Sequence, residues 1–146
     1  MIVMLAVVAL AMQQEPEHEQ KVTRRQLPPA VARTVAAQSR GAKVRGYSRE
    51  QENGQTYYEV ELRVRGHTKD VLIDTTGAVV EIEEEVKLAD LPAAVREGLV
   101  AGAGSGKIET VESVTKGGQI TAYEAHVRTN GKESEVKVGP DGKHVD

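Results

Sequence analysis

The spacing of hydrophobic side chains along this chain changes from the period of a helix to the period of a strand. Two segments place apolar residues at i, i+4 and i+8, namely Leu27, Val31 and Val35, then Leu91, Val95 and Leu99. This spacing aligns the side chains along one face of an α-helix. Pro28 and Pro92 suit the first turn of a helix, where the backbone amide has no partner. We therefore predict two helices, each beginning near a Leu-Pro pair.

Strict alternation follows the first predicted helix. The apolar side of this strand holds Tyr58, Val60, Leu62 and Val64. The opposite side holds Tyr57, Glu59, Glu61, Arg63 and Arg65. Alternation of this kind indicates a strand with one buried side and one solvated side, and Val127 occupies the corresponding buried position later in the chain. The preceding strand is less regular, because Val44 and Tyr47 are three positions apart and require a bulge or a helical turn.

Many residues recur at a nearly fixed offset. Leu27-Pro28 returns as Leu91-Pro92 after 64 positions, and Tyr58-Glu59 returns as Tyr123-Glu124 after 65. Such recurrence indicates a repeated supersecondary unit. We predict an α+β protein with one unit at 24–86 and a second at 87–146, each an N-terminal helix packed on an antiparallel sheet of about four strands. The short connector leaves open the alternative that the two sheets lie edge to edge as one larger surface.

The first residues indicate export. Residues 1–12 (MIVMLAVVALAM) are apolar without interruption, and the triplet Ala9-Leu10-Ala11 fits the small-x-small pattern of a signal-peptidase site. We predict a signal peptide over 1–12 with cleavage near Ala11, although no Lys or Arg precedes the apolar run. Residues 13–23 are polar and aperiodic, which predicts a flexible tether. The expected location is periplasmic or secreted, with no stable membrane span after processing.

Composition excludes several classes of function. The 146 residues are 39% hydrophobic and 28% charged, as in soluble globular proteins, and the aromatic share is 3% with no Phe or Trp. A net charge of −3 with both signs interspersed argues against nucleic acid as a partner. Cysteine is absent, which removes disulfides, thiolate catalysis and a cysteine-linked lipid anchor.

No residue pattern carries a recognisable chemistry. Residues 102–107 (GAGSGK) fail as a phosphate loop, because the loop runs from helix to strand and Ile108 follows the lysine. No serine lies in a Gly-x-Ser-x-Gly motif. We therefore predict that the protein is not an enzyme and that it has no catalytic residue and no cofactor.

The candidate metal ligands are also weak as sequence patterns. The histidines His18, His67, His126 and His144 show no zinc-type spacing. The acidic run of Glu81, Glu83, Glu84 and Glu85 is more typical of a solvated strand than of a cation site. The sequence therefore predicts no metal site.

The order of these features resembles a known family. A Leu-Pro pair opens a helix, and residues 41–44 (GAKV), an Asn-Gly turn, residues 56–62 (TYYEVEL) and residues 71–74 (VLID) follow. This order resembles the PepSY-like family, which belongs with the beta-lactamase-inhibitor-like proteins. The resemblance implies a helical element on an antiparallel sheet, often in tandem, in an exported bacterial protein. It also implies binding or inhibition rather than turnover, because relatives include inhibitors that dock a protein on the outer sheet face and modules that restrain peptidases.

The polar side of the alternating strand is the candidate binding surface. An aromatic side chain among charged neighbours on a rigid sheet is typical of protein interfaces, which predicts a site made of Tyr57, Glu59, Glu61, Arg63 and Arg65. Our first hypothesis is a protein-binding or inhibitory module whose partner is another exported protein. Regulation of a peptidase is one form that this function could take. The alternatives are an envelope sensor of a small ligand or cation and a purely structural envelope component. The sequence leaves the partner and the oligomeric state open.

Overall fold

A computed structural model describes residues 19–145, so the predicted signal peptide lies outside the described residues. The elements in chain order are β1 (Gln20–Val22), α1 (Pro29–Gln38), β2 (Lys43–Glu52), β3 (Gln55–Val64), β4 (His67–Asp74), β5 (Val79–Glu85), α2 (Ala93–Ala103), β6 (Lys107–Lys116), β7 (Gln119–Thr129) and β8 (Lys132–Val138). Both helices begin directly after the Leu-Pro pairs, as predicted. Among residues 19–145, neither helix combines the length and apolar character needed to cross a bilayer.

All eight strands form one antiparallel sheet, in which every strand pairs with its neighbours in the sequence. The prediction of two tandem units, each with its own sheet of about four strands, is therefore wrong. Strand β5 pairs with β6 across the predicted boundary, from Ile82 opposite Thr115 to Glu85 opposite Glu112. The physical reason is that a free sheet edge leaves a row of unpaired N–H and C=O groups, and joining the two edges satisfies both. The edge-to-edge alternative is the arrangement that the structure has.

The last part of the predicted tether is a strand and not a flexible segment. Gln20–Val22, its last part, forms the edge strand β1 and pairs with β2 from Gln20 opposite Arg49 to Val22 opposite Tyr47. Backbone pairing to an edge requires no apolar period, which explains why the sequence pattern did not predict this strand.

The two helices pack on the same face of the sheet, each over its own group of buried side chains. Val60, Leu62, Val71 and Ile73 lie beneath α1, and Leu99, Val111, Ala125 and Val127 lie at α2. The predicted inward orientation of Val60 and Val127 is confirmed, since they are 0% and 2% exposed. Of the two predicted alternatives, a bulge or a helical turn, the structure has the bulge, because the register of β2 shifts between Val44 and Gly46.

Two recurring glycines explain part of the internal repeat. Gly77 has φ +88° and lies so close to α1 that an added Cβ would be 2.8 Å from the Ala30 carbonyl oxygen. Thr34 Oγ1 also donates a hydrogen bond to the Gly77 carbonyl. Gly142, with φ +80°, lies in the same way against Ala94 of α2. Only glycine combines positive φ with such close approach, so each helix is positioned by a glycine loop.

Candidate functional site on the outer sheet face

The candidate site is the sheet face opposite the helices, here called the outer face. Tyr57, Glu59, Glu61 and Arg63 of β3 alternate with the buried Val60 and Leu62 and therefore project from this face. Among residues 19–145, no helix packs over it. Arg65, the fifth predicted residue, lies in the β3–β4 turn with φ +49°, beyond the end of the strand. The structure thus brings four of the five predicted residues together along one strand.

Carboxylates from neighbouring strands gather at the centre of the outer face. Register places Glu61 opposite Asp70, and Asp70 opposite Glu83, so that these side chains project on the same side. A cleft of about 150 Å³ is lined by Leu72 and by carboxylates, which are Glu50, Glu52, Glu59, Asp70, Glu81 and Glu83. We call Glu59, Asp70 and Glu83 the acidic cluster.

The acidic cluster is electrostatically unfavourable in its ionised form. Burial, followed by repulsion from Glu50 and Asp70, raises the pKa of Glu59 to about 8. Burial and repulsion from Glu81 and other carboxylates raise the pKa of Glu83 to about 8 as well. Burial and the nearby Glu112 raise the pKa of Asp70 to about 6. None of the ion pairs within residues 19–145 involves a member of the cluster.

Tyr57 lies beside the acidic cluster. Its ring is half-buried, and its hydroxyl donates a 2.7 Å hydrogen bond to Gln55 Oε1. The ring borders a groove of about 360 Å³ whose wall contains the apolar Leu72 and Val80 and the charged Glu52, Glu81, Lys116 and Lys137. The outer face therefore offers an aromatic and aliphatic patch next to a concentration of carboxylates.

The outer face near strands β6 to β8 differs, because its acids are paired. Lys116 Nζ lies 2.8 Å from Glu81 Oε2, and Lys137 Nζ lies 3.1 Å from Glu124 Oε2. Arg128 Nε donates a 2.9 Å hydrogen bond to Glu109 Oε1. The acidic cluster differs from this region because none of its three carboxyl groups takes part in an ion pair within residues 19–145.

A histidine lies among carboxylates in this paired region. His126 Nε2 is 3.2 Å from Glu112 Oε2, and His126 Nδ1 is 3.7 Å from Glu135 Oε1. Burial by itself lowers the pKa of His126, but the hydrogen bond with Glu112 and the surrounding carboxylates outweigh it and raise the pKa overall. Burial, then repulsion from Glu124, raises the pKa of Glu135.

Sequence reasoning did not group the acids of different strands into one site. The sequence predicts one solvated strand from the acidic run of β5, but the register places its members on both faces of the sheet. Glu81 and Glu83 project from the outer face, whereas Glu84 Oε1 lies on the other face, 2.8 Å from His67 Nε2. Alternation within each strand indicates which side chains share a face of that strand. Which side chains of neighbouring strands lie together depends on the register, which the local pattern does not contain.

Comparisons with known proteins place the fold. No protein-family model matches the chain, and no curated protein matches it at a significant level. A DUF2874 family protein from Bacteroides ovatus has a similar structure, with a TM-score of 0.61 and 21% identity, over 82% of this chain and 84% of that one. A BLIP-like protein from Bacteroides fragilis has a TM-score of 0.57 and 18% identity, over 80% and 82% of the two chains. A candidate periplasmic protein from Bacteroides eggerthii has a TM-score of 0.66 and 17% identity, over 82% and 86%.

These likenesses establish the fold alone, because the identities are low. They agree, at the level of fold, with the predicted resemblance to beta-lactamase-inhibitor-like proteins. None of the three supports the PepSY part of that resemblance.

Proposed function

We propose that this chain is an exported, non-catalytic protein that binds another exported protein through its outer face. The partner presents a basic segment to the acidic cluster and an apolar contact to Tyr57. The observation that carries this proposal is the combination of an uncovered sheet face with the acidic cluster, because Glu59, Asp70 and Glu83 take part in none of the ion pairs within residues 19–145.

Charge complementarity supports the choice of a basic partner. Glu59 and Glu83 are largely protonated near neutral pH, because their pKa values are raised to about 8. A Lys or Arg side chain placed between them favours the ionised forms and lowers those pKa values. Binding therefore releases protons, which makes the interaction stronger as the pH rises and weaker as salt increases.

The Tyr57 groove supports a protein rather than a small cation as the partner. Interface hot spots are enriched in tyrosine, and a rim of polar groups commonly surrounds them. The patch formed by Tyr57, Leu72 and Val80 offers apolar area that a simple ion does not use. The carboxylates then orient the partner, while the apolar patch supplies contact area.

Export and family likeness support the cellular setting. The candidate periplasmic protein from Bacteroides eggerthii has the same fold, which agrees with the apolar N-terminal run of this chain. The BLIP-like neighbour from Bacteroides fragilis has a similar fold, and the resemblance to beta-lactamase-inhibitor-like proteins is the reason for proposing a binding role. We retain a PepSY-like relationship and peptidase regulation as parts of this proposal.

The first experiment is an affinity capture from the exported fraction of the source cells. The bait is the wild-type chain, a face variant carrying Tyr57→Ala, Glu59→Gln and Glu83→Gln, or a control carrying Glu97→Gln. Glu97 is an exposed carboxylate on α2, away from the outer face. A partner on the proposed surface is retained by the wild type and the control and is weakened at least about tenfold by the face variant. Equal capture by all three baits contradicts the proposal.

The second experiment measures protons. Titration calorimetry of the captured partner in buffers of different ionisation enthalpy should show proton release near neutral pH, and the release should disappear in the Glu59→Gln, Glu83→Gln variant. A complex that takes up or releases no protons binds elsewhere. A purely structural component, the alternative from a different class, predicts that no partner depends on these side chains.

A further inference from the structure

A second cluster on the outer face has the composition of a transition-metal site. It consists of Glu124 and His126 on β7 and Glu135 on β8, and one potential ligand atom from each lies within 4.8 Å of the other two. The proposed protein-binding role centres on Tyr57 and the acidic cluster, so this site is separate from it.

The sheet register explains why these ligands converge. His126 is directly opposite Glu135, and Glu124 is two residues from His126 on the same side of β7. Side chains at i and i+2 of one strand and at the opposite position of the next strand project in parallel from one face. Two adjacent strands thus hold three ligands without any loop, which fixes their spacing through the backbone ladder.

The hydrogen bonds around the cluster indicate which atoms a metal ion would use. A carboxylate only accepts, so the 3.2 Å contact places a proton on His126 Nε2, which donates to Glu112 Oε2. In the neutral imidazole this leaves the lone pair on Nδ1, the nitrogen that faces Glu135. Lys137 Nζ lies 3.1 Å from Glu124 Oε2. A hydrogen bond also joins the carboxyl groups of Glu124 and Glu135, and a bound ion would replace that contact. Outer carboxylates that orient a histidine in this way accompany most metal-bound histidines.

Ligand type favours one class of ion. We propose that Glu124, His126 and Glu135 bind a single divalent first-row transition metal of the Zn²⁺ type, with water completing the coordination. Imidazole suits Zn²⁺ and its neighbours in the periodic table, whereas Ca²⁺ and Mg²⁺ prefer oxygen ligands alone. Donor atoms around tetrahedral Zn²⁺ lie about 2.1 Å from the ion, hence about 3.4 Å from each other, so the side chains need only a small closure.

Access to the site does not require opening of the fold. His126 and Glu135 border a groove of about 520 Å³ on the surface, together with Thr110 and Ser134. Glu135 is exposed and can adjust its rotamer, while Glu124 is 8% exposed and fixed by its neighbours. The bound ion would join β7 to β8 by side chains in addition to the backbone ladder.

The test is calorimetric titration of the tag-free protein with Zn²⁺ and with Ca²⁺. We expect one saturable Zn²⁺ site. His126→Ala should lower its Zn²⁺ affinity at least about 100-fold, and Glu112→Gln, which changes only the group that orients His126, should lower it about tenfold. The matched control is His67→Ala, because His67 also contacts a glutamate, Glu84, but on the other face of the sheet. Its Zn²⁺ affinity should equal that of the wild type.

Several results would overturn the assignment. They are the absence of saturable Zn²⁺ binding, an affinity that His126→Ala leaves unchanged, an equal loss in His67→Ala, and Ca²⁺ binding as tight as Zn²⁺ binding at the same residues. Glu135→Gln guards against a folding artefact, because this side chain is exposed. It should keep the circular dichroism spectrum of the wild type and still weaken Zn²⁺ at least about tenfold.

Discussion

Replacing Glu59 and Glu83 by glutamine should make the protein more stable at alkaline pH and should flatten the dependence of its stability on pH. Glutamine has the shape of a protonated glutamate and carries no charge, so it keeps the packing of the outer face. The pKa of each carboxyl is raised from 4.5 to about 8 by burial and by repulsion from neighbouring acids.

The sign follows from proton linkage. Between about pH 4.5 and pH 8, the folded state keeps protons that the unfolded state has released, so the free energy of unfolding falls as the pH rises through this window. Above about pH 8 both states are ionised and the loss is complete. Below about pH 4.5 both states are protonated, and the substitutions should have little effect.

The magnitude is limited by solvent. A shift of this size corresponds to about 5 kcal/mol for one carboxyl if all of it were expressed as stability. Both side chains are half-buried, so solvent screening reduces the effect to about 1–2 kcal/mol each. We therefore expect the double variant to exceed the wild type by about 2–4 kcal/mol near pH 9, and the Tm to rise by about 4 °C for each kcal/mol in a chain of this size.

The assay is urea denaturation followed by circular dichroism across the range from about pH 4 to pH 9. Glu97→Gln is the matched control, because it removes an exposed carboxylate from α2 and should leave the slope of the wild type unchanged. A double variant whose stability runs parallel to that of the wild type at every pH would refute the claim that the acidic cluster holds its protons in the folded state.

Three further predictions concern the fold. Gly142→Ala should lower the free energy of unfolding by at least about 2 kcal/mol, because the residue has φ +80° and its Cβ would collide with Ala94. The control Gly41→Ala, at φ +72° in open space, should lower it by about 1 kcal/mol, and equal losses would contradict the close-approach argument. Leu99→Ala should cost about 2–5 kcal/mol in urea denaturation, since Leu99 is 0% exposed, and a loss under about 1 kcal/mol would mean that the site is not packed. Residues 87–145 expressed alone should self-associate, because the ten-residue strand β6 loses its partner β5 and exposes its edge. Light scattering and thermal melting test this, and a monomer with the Tm of the full chain would contradict a sheet shared by both halves.

Local features of the sequence predicted the elements well. Apolar spacing located both helices, proline marked their beginnings, and the alternation around Val60 assigned the buried and exposed sides of β3. These features depend on neighbouring residues, whose period is fixed by backbone geometry. The same alternation placed Tyr57, Glu59, Glu61 and Arg63 on one face but extended the strand too far, because Arg65 adopts positive φ in a turn that ends in glycine.

The candidate sites were predictable only in part. The sequence predicts Glu59 as a site residue, assigns Glu83 to a solvated acidic strand and gives no signal for Asp70. Asp70 and Glu83 join Glu59 only through the pairing of β3 with β4 and of β4 with β5. The sequence predicts only a surface histidine at His126, because Glu135 lies nine positions further along the chain and becomes its neighbour through the register of β7 and β8. Side chains from different strands share a site only when hydrogen bonding between strands has set that register.

The sequence by itself determined where the chain is helical, where it is extended and which side of β3 is buried. These properties follow from the spacing of hydrophobic residues along the chain, which matches the period of a helix or a strand. Only the tertiary structure decided that the strands form one sheet, because the pairing of β5 with β6 is made by backbone groups that every residue carries. The same pairing brings acids from many strands onto one continuous face. The charge of that face is therefore a property of the register and not of any single segment.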